Sequence, residues 1–252
     1  MTETLIPGAE AWSHVARGER GALVIHGFTG NPGSMVGLAE AFAEAGYDVE
    51  LPRLPGHGTT IEDMLTTTWA DWSATVEDAY QALAARVPAM VVVGLSMGGA
   101  LTLWLARKHA EISGIVCVNP VSQSQPPEVI DMLTGMIADG TTVAPGIGSD
   151  IADPDVSETA YPGSPLVQLL SLLEAAGENS FHYESMRMPM LLMNSPQDHV
   201  VEPAQAEFLA THFGGPLERV TLERSFHVAT LDYDKDIINA EAVAFGNRVT
   251  AP

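Results

Sequence analysis

The chain has 252 residues, is 46% hydrophobic, and sets 11 basic against 32 acidic side chains, a formal net charge of −21. That length suits one large α/β domain with room for an insertion. The charge repels phosphate backbones and anionic lipid headgroups, which argues against nucleic-acid partners. One cysteine, Cys117 in the apolar run "GIVCVN", rules out an internal disulfide and reads as a buried, inert thiol. The opening "MTETLIPGAEAW" lacks a basic patch followed by an apolar stretch, and no run reaches the length of a membrane span. A cytoplasmic chain without stable membrane insertion is expected.

The first apolar run, "ALVIH" (22–26), reads as a strand. A helical pattern over 34–45 follows, carrying Leu38 and Phe42 and stopping at Gly46, a good residue just past a helix end. "DVELP" (48–52) is the next strand. Over 69–87, Trp69, Trp72, Val76, Leu83 and Val87 share one helical face, with Thr68 placed to cap the start. "MVVVG" (90–94), "GIVCVN" (114–119), "MLLMN" (190–194) and "LERVTL" (217–222) are further strands. Several are apolar throughout, as strands buried on both faces of a parallel sheet must be. Strands alternating with helices at this spacing predict an α/β fold, a three-layer sandwich around a mostly parallel sheet.

The alternation breaks after Pro120. Val129, Met132, Leu133, Met136 and Ile137 follow helical spacing, as do Leu166, Leu169, Leu170 and Leu173. Between them "DGTTVAPGIGSDIADPDVSETAYPGSP" reads as loop with short turns. The expected organisation is a core of residues 1–119 and 187–252, with 120–186 inserted as a helical cap.

Gly94-Leu95-Ser96-Met97-Gly98 fits G-x-S-x-G, and it sits where an apolar strand turns into a helix. A serine on so sharp a turn projects its oxygen above the sheet, and the glycines make room for neighbouring backbone. A hydroxyl needs a base to become a nucleophile. Of eight histidines, His227 in "RSFHVATLDYD" follows the last strand at the sheet edge where Ser96 also emerges. A histidine base needs an acid to fix its tautomer. Asp198 in "MLLMNSPQDHVVEP" follows the preceding strand at the same edge, whereas Asp150, Asp153 and Asp155 read as turn caps, and Asp232 and Asp234 as the start of the last helix. The order Ser96, Asp198, His227 is that of α/β-hydrolases. The tetrahedral intermediate needs two backbone donors: the N–H of Met97, after the serine, and that of Phe28, in the loop "HGFTGNPGSM" after the first strand. His26 reads as structural. No metal or organic cofactor is needed.

With "LPRLPGHGTTIEDM", "IGSD", "PDVSETAY", "QDHVV" and "SFHVATLDYD", these motifs resemble the bacterial monoacylglycerol lipases and related thermostable carboxylesterases over nearly the whole chain. The resemblance implies a monomer-sized α/β-hydrolase core with a small mobile cap; a monomer or weak homo-oligomer acting on a small-molecule ester or lipid substrate is expected. It implies hydrolysis of one-chain glycerol esters by a Ser96–Asp198–His227 triad, with Phe28 and Met97 as oxyanion donors. It also places Glu158, in "PDVSETAY", on the glycerol group. The alternative is a general carboxylesterase acting on short- to medium-chain esters.

Overall fold

The computed structural model describes residues 5–146 and 148–251. The chain runs β1 (Trp12–His14), β2 (Arg20–Ile25), α1 (Val36–Glu44), β3 (Asp48–Leu51), α2 (Ile61–Met64), α3 (Trp69–Ala84), β4 (Ala89–Leu95), α4 (Met97–Lys108) and β5 (Gly114–Val118). It continues through α5 (Pro127–Ala138), β6 (Val143–Pro145), β7 (Gly163–Pro165) and α6 (Leu166–Ser180). It then returns with β8 (Met190–Asn194), α7 (Ala204–His212), β9 (Leu217–Thr221) and α8 (Lys235–Val249).

Seven strands form one sheet in the order β1-β3-β2-β4-β5-β8-β9. Only β1 is antiparallel to its neighbour; every other pair is parallel. The β-branched run of β4 shows why both faces are covered. Val91 and Val93 join Ala22, Val24 and Val116 on one face, against Leu38 and Phe42 of α1 and Ile238 and Phe245 of α8. Val92 faces the other way with Leu23 and Ile115, against Trp72 of α3, Leu101 of α4 and Leu209 of α7. Alternate residues of one strand thus bury into two helical layers, the predicted sandwich.

Local chemistry sets the helix ends. Asp71, three residues into α3, accepts the Thr68 N–H at 2.8 Å, the reciprocal half of a capping box. Past the end of α1, Gly46 takes φ +86°, a conformation open to glycine at no steric cost. The chain steps from β2 outward to β3, then crosses back to β4 on the far side of β2. That reversal opens a crevice above the carboxyl ends of β2 and β4, where ligands of open α/β sheets bind.

The segment between β5 and β8 holds the predicted helices as α5 and α6. It also holds a ribbon that periodicity does not reveal: β6 pairs antiparallel with β7, Val143 opposite Pro165. Three-residue strands ending in proline carry no alternation to read. Strand β1 is likewise only three residues long, too short for alternation to show. Helix α6 packs on α3 and α4 and adds Leu172 and Ala176 to the core, beside Tyr161, Tyr183 and Met186 of the same segment. Of its leucines, Leu166 and Leu172 are buried, whereas Leu169, Leu170 and Leu173 are half-covered. Among the described residues, no helix is long and apolar enough to cross a membrane.

Candidate active site

Strand β4 ends at Leu95 and α4 begins at Met97, leaving Ser96 alone on the turn at φ 57°, ψ −116°. A non-glycine residue there is strained by roughly 1–3 kcal/mol and persists only where its surroundings hold it. Here they do. Ser96 donates its N–H to the Val118 carbonyl at 3.0 Å, and its own carbonyl accepts from Ala100 and Val121 at 3.1 and 3.2 Å. The flanking glycines follow from packing. A Cβ on Gly94 would overlap the Gly98 carbonyl, and one on Gly98 would overlap the carbonyl of Ile25 in β2. G-x-S-x-G is therefore a condition for β4 and α4 to meet so closely over β2.

Asp198 stands in the loop after β8 and His227 in the loop after β9; both are buried. Asp198 Oδ1 accepts from Val200 N and Val201 N, each at 2.8 Å, which orients the carboxylate. Its Oδ2 accepts from His227 Nδ1 at 2.8 Å. With Nδ1 donating, Nε2 is the nitrogen with a free lone pair, the tautomer a general base requires. The segment that receives the Ser96 amide also holds the histidine. Asn119, between Val118 and Val121, donates through Nδ2 to the His227 carbonyl at 2.8 Å.

Gly27 lies against the serine: a Cβ there would stand 3.4 Å from Ser96 Cβ. Phe28 follows, its ring edge-on to Trp72 and His57. Met97 opens α4, so its N–H is among those a helix start leaves without an internal partner. Beneath this loop His26 Nε2 accepts from Leu54 N at 3.1 Å and Nδ1 donates to the Gly27 carbonyl at 2.9 Å. This is the structural role read from the sequence. Burial lowers His26 to about 3 and His57 to about 4, so both rings are neutral under the site.

The segment between β5 and β8 is tied to the same loop. Asn31 Nδ2 donates to the Thr159 carbonyl at 2.5 Å, and Tyr161 N donates to the Thr29 carbonyl at 3.1 Å. Glu158 sits between these ties. The residue is half-buried, with its carboxyl end turned inward: a Cβ on Gly30 would stand 2.5 Å from Oε1. Burial pushes this carboxyl above the usual range, opposed by the charge of His227 and the hydroxyl of Ser34.

Of the other acids, Asp153 and Asp234 keep their expected places, and Asp150 and Asp232 depart from theirs. Asp153 does cap its turn, accepting from Asp155 N at 3.0 Å. Asp150 instead accepts from His199 N and His227 N. Asp232 does not start α8; it is buried and accepts from Ala152, Asp153, Phe226 and Tyr233 amides. Asp234 does start α8: it stands directly before Lys235, its carbonyl accepts from Ile238 N at 3.0 Å, and its carboxylate accepts from Arg224 N. Burial pushes the Cys117 thiol well above its usual range. The bridging roles of Asn119 and Asp150 escaped sequence reasoning. Asn119 left one local signal: an asparagine between an apolar strand and Pro120, here at φ 44°, a conformation asparagine tolerates.

The family described as serine aminopeptidase S33 (Hydrolase_4) matches residues 19–234. The thermostable monoacylglycerol lipase of Bacillus sp. (strain H-257) is 42% identical over 96% of this chain and 95% of its own. A carboxylesterase of Bacillus subtilis (strain 168) is 24% identical over 90% of this chain and 92% of its own. A solved structure from work on the metagenome-derived lipolytic enzymes LipS and LipT superposes with a TM-score of 0.92 at 40% identity, covering 97% of this chain and all of that one. On sequence and fold together, the chain belongs to the Hydrolase_4 family of the α/β-hydrolase superfamily.

Proposed function

We propose that this serine hydrolase cleaves monoacylglycerols to fatty acid and glycerol through an acyl-enzyme. Ser96 attacks the ester carbonyl while His227 Nε2 takes its proton. Asp198 holds the ring and stabilises the imidazolium. The N–H groups of Phe28 and Met97 receive the oxyanion. His227 then gives its proton to the departing glycerol, and water, activated by the same ring, releases the fatty acid. Residues 120–186 act as the cap over the core of 1–119 and 187–252, with the half-covered leucines of α6 and the apolar face of α5 taking the acyl chain. The enzyme is cytoplasmic, in keeping with its lone buried thiol, and monomeric or weakly oligomeric.

The observation that carries the glycerol reading is Glu158, an inward carboxyl against Gly30 in the oxyanion loop. A one-chain glycerol ester brings two hydroxyls into a desolvated site, and each left unpaired costs about 1–3 kcal/mol. A carboxylate accepts from both through charge-assisted bonds. The likeness to a relative named for monoacylglycerols supports the same substrate. The second reading, a general carboxylesterase, draws on the relative of that name. Steady-state turnover of a monoacylglycerol against the methyl ester of the same acid separates the two. The proposal expects kcat/KM to favour the glycerol ester by at least about tenfold, the worth of one such pairing. Equal values favour the general carboxylesterase.

A further inference from the structure

We infer that Asp150, carried by the inserted segment, is a positioning residue for His227; this rests on the reading of Ser96, Asp198 and His227 as the reacting groups. His227 lies between β9 and α8, where no strand ladder fixes its backbone. Three side chains fix the residue instead, one at its ring and two at its backbone. Asp198 takes its ring, Asn119 donates to its carbonyl, and Asp150 Oδ2 accepts its N–H at 3.0 Å. The next amide is held as well, Val228 N donating to the Asp150 carbonyl at 3.0 Å. The same Asp150 Oδ2 accepts from His199 N at 3.1 Å, one residue past Asp198, and Oδ1 accepts from His199 Nδ1 at 2.8 Å. One carboxylate therefore joins the loop of the acid to the loop of the base.

A turn cap would spend its carboxylate on amides two or three residues ahead. Those of Ala152 and Asp153 go to Asp232, at 2.7 and 3.1 Å. Asp150 is left to reach partners 49 and 77 residues away. Asn119 belongs to the core and Asp150 to the insertion, so the peptide of His227 is gripped from two parts of the chain. The insertion thus completes the placement of the base as well as covering the substrate. Its neighbour Ser149 accepts the Glu158 N–H at 2.9 Å, so the segment that sets the base also anchors the carboxylate assigned to the alcohol.

The test compares D150A, D150N and wild type on a monoacylglycerol and on the p-nitrophenyl ester of the same acid. Rates are normalised to serine titratable with a fluorophosphonate. Misplacing a catalytic group by about 1 Å costs on the order of 100-fold, so D150A should lose about 10- to 100-fold in kcat on both substrates. KM should stay within about threefold, and fluorophosphonate capture should slow by a like factor. D150N keeps one oxygen for the two backbone amides and should recover most of the loss. Should D150A fail to fold, D150S is read in its place. The inference is overturned by kcat per titratable serine within about twofold of wild type, by a loss confined to KM or to the glycerol ester, or by D150N as impaired as D150A. A fully active S96A would overturn the triad reading itself, independently of these outcomes.

Discussion

Helices α4 and α5 have twelve residues each and are both rich in apolar side chains, yet α4 buries nine of its residues and α5 only Leu133. The difference lies in what surrounds them. Helix α4 starts at the strained Ser96 turn and is wedged among β4, β5 and α6, so that only its last residues, Arg107 and Lys108, are exposed. Helix α5 rests on α6 alone among the stronger contacts, and Met132 is more than half exposed. A packed helix is what a fixed nucleophile needs, because strain at φ 57° is held only by rigid neighbours. On the proposed function, an apolar helix left half uncovered suits an acyl chain, which would supply the missing contacts.

The largest effect expected on this comparison comes from the packed side. S96A should fold as wild type and lose turnover by about 10⁶-fold, as removal of a nucleophile does in other triads. D198N should cost about 10⁴-fold by disturbing the histidine tautomer. Retention of a tenth of wild-type turnover by S96A, measured by ester hydrolysis, would rule out the assigned nucleophile.

The packed side also has an acid weakness. His26 and His57 are fully buried, with folded values lowered to about 3 and about 4. The unfolded chain binds protons on both below about pH 6.5 while the folded chain does not. Their stabilisation is therefore complete above pH 6.5 and is lost as pH falls to about 4 for His57 and 3 for His26. The loss amounts to about 3 kcal/mol and about 5 kcal/mol respectively. Urea denaturation between pH 7 and 4 should show H57Q losing less stability than wild type over that window. Parallel curves would contradict the assignment.

On the uncovered side, I137W should fill the space assigned to a long chain. Overpacking of 1–3 kcal/mol would lower kcat/KM for dodecanoyl esters by roughly 10- to 100-fold and spare acetyl esters. Equal rates for both lengths, before and after the change, would show that α5 does not touch the acyl group.

The two regions were also unequally legible. The Ser96 turn is encoded in five consecutive residues, because the glycines beside it are local steric demands. Asp198 and His227 could be singled out because each follows a strand, the apolar β8 and the mixed β9, and the ends of parallel strands share an edge. The roles of Asp150 and Asn119 were not legible, since their partners lie 49 to 108 residues away and leave no periodicity. The β6–β7 ribbon was hidden for a different reason: two three-residue strands containing proline look like turns. Glu158 was visible only through family resemblance, because nothing local separates it from 31 other acids.

The most direct measurement on the whole account is the ratio of kcat/KM for a monoacylglycerol to that for the p-nitrophenyl ester of the same acid, in wild type and E158A. Loss of one or two charge-assisted bonds to the glycerol hydroxyls should lower the first value by roughly 10- to 100-fold and leave the second nearly unchanged, so the ratio falls by that factor. An unchanged ratio, with both rates lowered equally or neither lowered, would contradict recognition of glycerol by Glu158 and leave a general carboxylesterase.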